Sequence, residues 1–239
     1  MKKIFSNFVA LLFLTTSFLK SNATWSIIVI DPKTKEIGIA GASCTPSVYG
    51  IGAIIPGKGA VVVQAMSNYA ARLKGLKMLL ADAAPEEILK AMRDPEFDPE
   101  EQQYAVISVK YIDHPVTYTG TETNEGKGAL TANGISVQGN TLTNADDLQA
   151  ILNTAIKAQK DSLPIQDVLL LALEAGSKLG GDKRCGDTKA SSAFIIVAKP
   201  GDDAKKLFLK LVVNGTDKKV NAVEALRIKF DAWNQDLKD

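Results

Sequence analysis

The sequence predicts an α+β fold of two antiparallel sheets stacked between layers of helices. Strand and helix signals come in blocks: four strands, two helices, about three strands, two helices, two strands and a closing helix. A doubly wound parallel sheet would instead alternate strictly. Several strand runs are apolar on both faces, the pattern of sheets covered on each side. From residue 24 onward there is no internal repeat, low-complexity tract or linker, so a single domain over 24–239 accounts for the chain.

Trp25-Ser26-Ile27-Ile28-Val29-Ile30 is a β-branched run, followed by the turn chemistry of Asp31-Pro32-Lys33-Thr34-Lys35-Glu36 and by small and apolar residues at 37–43. These make a hairpin. A second strand pair is expected at 52–55 and 60–64, joined by Pro56-Gly57-Lys58-Gly59. The period then changes. Leu73, Leu76 and Leu80 recur at helical spacing, and Pro85-Glu86-Glu87 opens a second short helix with proline where its missing N–H costs nothing, so 69–93 is helical. Strand character returns at 104–112 and 116–119, and a Gly- and Thr-rich loop leads into a strand at 135–140. Asn144-Ala145-Asp146-Asp147 caps a helix whose apolar stripe is Leu148, Ile151, Leu152, Ala155 and Ile156. Ser162-Leu163-Pro164 starts the next helix, expected to stop at Gly176; 193–198 and 207–213 read as strands, and 220–237 as the last helix.

Met1-Lys2-Lys3, the apolar stretch from Phe8 to Leu19, and the small residues Ser21 and Ala23 have the layout of a secretory signal cleaved before Thr24. The stretch is too short to span ~30 Å of hydrocarbon as a helix. The processed chain is therefore expected in the periplasm or outside the cell, with no membrane attachment. Residues 1–23 hold three lysines and no acid, so their loss turns 28 basic and 27 acidic residues into 25 and 27, and the net charge from +1 into −2. That balance gives no pull toward nucleic acid. Cys44 and Cys185 cannot build a tetrahedral zinc site with the single histidine, His114. No metal or other cofactor is expected, and an even pair of cysteines in an exported chain invites pairing. The oligomeric state is left open, a homo-oligomer included.

The segment from Gly52 to Gly59 comes close to a phosphate-binding loop. However, Gly59 stands where a magnesium-binding hydroxyl is needed, Pro56 removes a cradle N–H, and a strand follows in place of a helix. His114 precedes Pro115 in a turn, which leaves a Ser-His-Asp triad little to build on. Thr24 offers another chemistry. After cleavage its α-amine and hydroxyl belong to one residue, and the amine can serve as base for its own nucleophile. An α-amine titrates near ~7.7–8.0, and burial beside Trp25 would lower that value. A small polar residue exposed by signal cleavage with no catalytic purpose has the same appearance.

The segments Thr24-Trp25-Ser26-Ile27-Ile28, Val63-Gln64-Ala65, Tyr118-Thr119-Gly120 and Ser136-Val137-Gln138-Gly139-Asn140 with Leu142 occur in order along the chain. Glu174-Ala175-Gly176, Gly180-Gly181-Asp182-Lys183-Arg184 and Ser192-Ala193 continue them. Together, from Thr24 to about Lys210, they resemble the domain-of-unknown-function 1028 (DUF1028) family, which is placed in the N-terminal nucleophile hydrolase superfamily. The resemblance implies a four-layer αββα fold in which the nucleophile begins the first strand. It names no substrate. Cys185, where glycine is usual, and Cys44 depart from the family's pattern.

Under this resemblance, the expectation is an exported amidohydrolase that attacks an amide or related acyl bond of a small-molecule or peptide-like substrate through Thr24. Asn140 is the first candidate donor to the oxyanion and Gln64 the second. Ser26, one strand period from Thr24, either orients the amine or packs. Asp182 and Arg184 either form a structural ion pair or position a charged substrate. The resemblance also brings the loops of Cys44 and Cys185 to one end of the sandwich, where a disulfide requires Cα atoms within about 7 Å. The rival is a catalytically silent binding or structural module on the same scaffold. Cys44 as nucleophile lacks a histidine partner and would be oxidised outside the cytosol.

Overall fold

The structure is a computed structural model that describes residues 24–144, 146–217 and 219–237. The expected signal, 1–23, lies outside them. Ten strands and five α-helices are present among the described residues: β1 (Thr24–Ile30), β2 (Ile37–Ser43), β3 (Gly52–Ile55), β4 (Gly59–Ala65), α1 (Tyr69–Leu80), α2 (Pro85–Met92), β5 (Gln102–Ser108), β6 (Val116–Thr119), β7 (Gly128–Ala132), β8 (Ile135–Asn140), α3 (Asp147–Lys160), α4 (Ile165–Lys178), β9 (Ser192–Ala198), β10 (Leu209–Val213) and α5 (Ala222–Asp236). One sheet has the order β10-β9-β2-β1-β8-β7 and the other β3-β4-β5-β6. Every strand pairing is antiparallel.

The two-faced apolar strands explain this arrangement. β1, β2, β4, β5 and β9 are buried along their whole length, so both faces of each need cover. Because side chains alternate along a strand, β1 splits its residues between two cores. Trp25, Ile27 and Val29 pack with Leu148, Ile151, Leu169 and Leu173 of α3 and α4. Ile28 and Ile30 pack with Ile37, Ile39, Ala60, Ile107 and Phe194, from strands of both sheets. A third cluster joins Val61, Val63, Tyr104 and Val106 to Ile88 and Met92 of α2.

The β1–β2 turn is set by Asp31, whose Oδ1 accepts the N–H groups of Lys33 (2.7 Å) and Thr34 (2.9 Å). Asn144 Oδ1 accepts the Asp146 N–H at 3.0 Å just ahead of α3. Three expectations need correction. The third strand block has four strands, because β7 lies inside the segment expected to be a loop and is held by its pairing with β8. The strand expected at 104–112 ends at Ser108, whose carbonyl closes a turn onto the Tyr111 N–H at 3.2 Å. α4 runs through Gly176 to Lys178, since that glycine serves a side-chain contact and not a helix stop.

Candidate active site

Thr24, the first residue of β1, is 2 % exposed and lies opposite Asn140 on β8 and Ser43 on β2; Ser43 in turn lies opposite Ser192 on β9. Strand alternation puts Thr24 on the face of Ile28, Asn140 on the face opposite Val137, and Ser43 and Ser192 on the faces of Ile39 and Phe194. The four side chains therefore form one polar row across the inner end of the larger sheet. Thr24 Oγ1 donates to Ser43 Oγ at 3.3 Å, and Thr45 Oγ1 reaches the same oxygen at 3.1 Å.

Behind the row lies a buried polar network that spans both sheets. Gln103 of β5 is its centre: its Oε1 accepts from Gln64 Nε2 and Asn140 Nδ2, each at 2.9 Å. Its Nε2 donates to the Gly139 carbonyl at 2.8 Å and to Thr119 Oγ1 at 3.0 Å. Ser26 Oγ donates to Gln64 Oε1 and accepts from Gln138 Nε2, both at 2.6 Å, and Ser136 Oγ donates to Gln138 Oε1 at 2.9 Å. A satisfied network of this kind holds its members in fixed positions. Gln64 Nε2 also contacts the Thr24 carbonyl at 3.5 Å, so both of its hydrogens are directed at the backbone and at Gln103. Asn140 has a second N–H beyond the one given to Gln103.

Trp25 fixes Thr24 from the other side. Its Nε1 donates to the Leu173 carbonyl at 3.2 Å, and its ring lies so close to α4 that a Cβ on Gly176 would sit 2.7 Å from Nε1. Gly181, at φ 58°, leaves room for the far edge of the same ring.

In front of Thr24 is a pocket of about 250 Å³, lined also by Thr45, Ser47, Tyr49, Ser67 and Arg72. Tyr49 is braced edge-on against Phe194, with ring centres 5.7 Å apart. Ala65 (φ 70°), Ser67 (φ 55°) and Thr141 (φ 53°) adopt left-handed backbone around this end, a conformation that residues other than glycine hold only when their surroundings impose it. Arg72, half-buried on α1, gives its Nη1 hydrogen to Ser67 Oγ at 3.5 Å and lies 5.3 Å from the Tyr69 ring centre. Desolvation holds its pKa below the ordinary arginine value.

Asp182 and Arg184 sit at the same end but do not line the pocket. The fully buried Asp182 carboxylate accepts from Arg184 Nε (3.0 Å), Arg184 Nη2 (2.7 Å), the Arg184 N–H (3.0 Å) and the Cys44 N–H (2.7 Å). This is the ion-pair arrangement, and it anchors the residue directly after Ser43. A Cys44–Cys185 disulfide ties the same two segments, with Cα atoms 5.6 Å apart. Ser26 is drawn into the Gln64–Gln138 contacts. His114 lies on an exposed turn beside Asp113. Among the described residues, no group of three His, Cys, Asp or Glu is placed to hold a metal, and no helix is long and apolar enough to cross a membrane.

Ser43, Gln103, Gln138 and Arg72 were not singled out as site residues by sequence reasoning. A signal existed for two of them: Gln103 adjoins the apolar run 104–107 and Gln138 follows Val137, on strands buried along their whole length.

The model of a family of unknown function, DUF1028, matches residues 24–223. No curated protein matches the chain. The crystal structure of a DUF1028 protein from Silicibacter pomeroyi is similar to it, with a TM-score of 0.74, 22% sequence identity and 88% of each chain covered. The chain belongs to the DUF1028 family.

Proposed function

We propose that this DUF1028 member is an exported amidohydrolase built on the αββα scaffold of the N-terminal nucleophile hydrolases, with Thr24 of the processed chain as nucleophile. The observation that carries the reading is the position of Thr24. It begins a central strand between its partners Asn140 and Ser43, faces the other sheet, and opens onto a pocket. The two antiparallel sheets, with α1 and α2 against one and α3, α4 and α5 against the other, support the scaffold. The disulfide is compatible with export.

The chemistry follows from these groups. The neutral α-amine takes the proton of Thr24 Oγ1, and the oxygen attacks the amide carbon. The negative charge that develops on the carbonyl oxygen is met by the second N–H of Asn140 Nδ2. Collapse breaks the C–N bond, the departing amine takes the proton from the α-ammonium, and an ester remains on Thr24. Water attacks that ester and gives one proton to the amine; the bond from the acyl carbon to Thr24 Oγ1 then breaks, Oγ1 takes that proton back, and the acid leaves with the neutral amine restored. Gln64 and Ser26 act in this scheme as positioning residues, since their hydrogen bonds hold the Thr24 carbonyl and the network behind it.

Intact mass of exported protein should give a chain that starts at Thr24, and an acylating probe should modify that residue. Thr24→Val keeps the shape and the amine but deletes the hydroxyl, so labelling should vanish while folding persists; Thr24→Ser should retain part of it. A different mature start, or a valine variant that labels like wild type, would replace this reading with that of a silent binding module.

A further inference from the structure

The pocket in front of Thr24 contains a charge that no carboxylate balances among the described residues. Its cationic side chain is the Arg72 guanidinium, and no carboxylate is among the described residues that line it. Of the three other arginines, the exposed Arg93 lies 4.1 Å from the Tyr118 ring centre and the remaining two are paired with acids. Arg184 is paired with Asp182, and Arg227 with Glu174 at 2.7 Å and Asp231 at 3.4 Å. Arg72 makes no ion pair among the described residues, and its contact with Ser67 is long. A partly desolvated guanidinium without an anion is costly, and five donors in a planar fork match a carboxylate in two-point fashion.

Its setting is also imposed. The left-handed turn at Ala65 and Ser67 leads into Asn68, whose side chain accepts the Ala71 N–H at 3.0 Å and starts α1 one turn before Arg72. This brings the guanidinium into the lining of the pocket together with Ser67 and Thr24. With about 250 Å³ available, the pocket falls below the roughly 300–1,000 Å³ of sites for drug-sized ligands. It suits a group of amino-acid size.

We infer that this pocket recognises small carboxylate-bearing amides, with the ligand carboxylate on Arg72 and the amide end toward Thr24. Recognition of the anion stands on the pocket alone; that the amide end reacts rests on the function proposed above. Thr45, Ser47 and Ser67 supply further hydroxyl groups to the lining.

Calorimetry with the exported chain can compare glutaramate, which has one carboxylate and one amide, with glutaramide, its neutral diamide of the same length. Glutaramate should bind at least tenfold more tightly. Arg72→Met should erase the preference, and Arg72→Lys should keep part of it, which retains a readable result if the methionine variant folds poorly. Equal binding of the two compounds, no measurable binding of either, or an unchanged preference in Arg72→Met overturns the inference. Selective glutaramate binding without acylation of Thr24 would sustain the recognition and remove the catalytic reading. Acylation of Thr24 with no charge preference would do the reverse.

Discussion

Replacing Gly176 by alanine tests whether the helix layer behind β1 holds the candidate nucleophile in place. On propensity alone the change stabilises α4, by about 0.5–1 kcal/mol. The surroundings oppose it: the new Cβ would lie 2.7 Å from Trp25 Nε1, 2.8 Å from Trp25 Cδ1 and 2.9 Å from Ile151 Cδ1. Atoms do not approach so closely, so the buried indole must move and its bond to the Leu173 carbonyl is lost. Overpacking costs about 1–3 kcal/mol, and a buried N–H left unpaired costs about 1–3 kcal/mol more. Net of the propensity gain, Gly176→Ala should destabilise the protein by about 1–5 kcal/mol. Urea unfolding reads this as a lower midpoint at unchanged slope. Because Trp25 adjoins Thr24, acyl-probe labelling should fall as well. A midpoint equal to or above that of wild type would refute the close-packing argument.

Gln103→Leu removes the acceptor of two buried amide N–H groups, those of Gln64 and Asn140. Urea unfolding should show a loss of about 2–6 kcal/mol, and a loss below the lower figure would mean that the two amides find other partners. Reducing Cys44–Cys185, whose separation is 141 residues, should lower stability by at most about 5 kcal/mol in the chain-entropy account. Peptide mapping of exported protein should recover the two cysteines in one linked species, and recovery of both as alkylated thiols would contradict the bond. Hydrogen bonds from Tyr118 and from the Thr121 backbone and hydroxyl hold the pKa of Glu100 down to about 2, from an ordinary value of 4.5. A depressed carboxylate stabilises the fold above its unfolded pKa and loses that contribution as pH falls, so stability should decline between about 4.5 and 2. Glu100→Gln should flatten that decline, and an unchanged acid profile would remove Glu100 as its source.

The parts of the fold legible in the sequence are those with local causes. β1 and β2 announce themselves because a β-branched run and a small, apolar one flank a turn whose Asp31 bonds its own backbone. β7 does not. Its five residues, Gly128–Ala132, are partly exposed or exposed, lie at the sheet edge, and owe their conformation to β8. Gly176 was read as a helix stop because glycine weakens helices, whereas its missing Cβ makes room for a tryptophan 151 positions earlier. The site divides in the same way. Thr24 is marked by the expected cleavage, and Asn140 and Gln64 by the family resemblance, but Ser43 and Gln103 join them only through pairings across and between sheets. Arg72 carries no such mark: its place in the lining depends on the turn ahead of α1.

What sequence patterning could not supply, the energetics of the inner face does. One end of that face is filled by Ile28, Ile30, Ile37, Ile39 and Ile107, and continuing them would have been the simplest way to stabilise both sheets. The other end instead buries Ser26, Gln64, Gln103, Ser136, Gln138 and Asn140. Each costs about 1–3 kcal/mol to bury unless it is hydrogen-bonded. Their mutual bonds offset that cost without improving on an apolar core, so the network's distinctive contribution is rigidity. The rigid end is the one where Thr24, the left-handed turns, the disulfide and the unbalanced Arg72 converge. A fold that gives up apolar packing at one place, and fixes the groups there from both sheets, has the layout expected of a preorganised site.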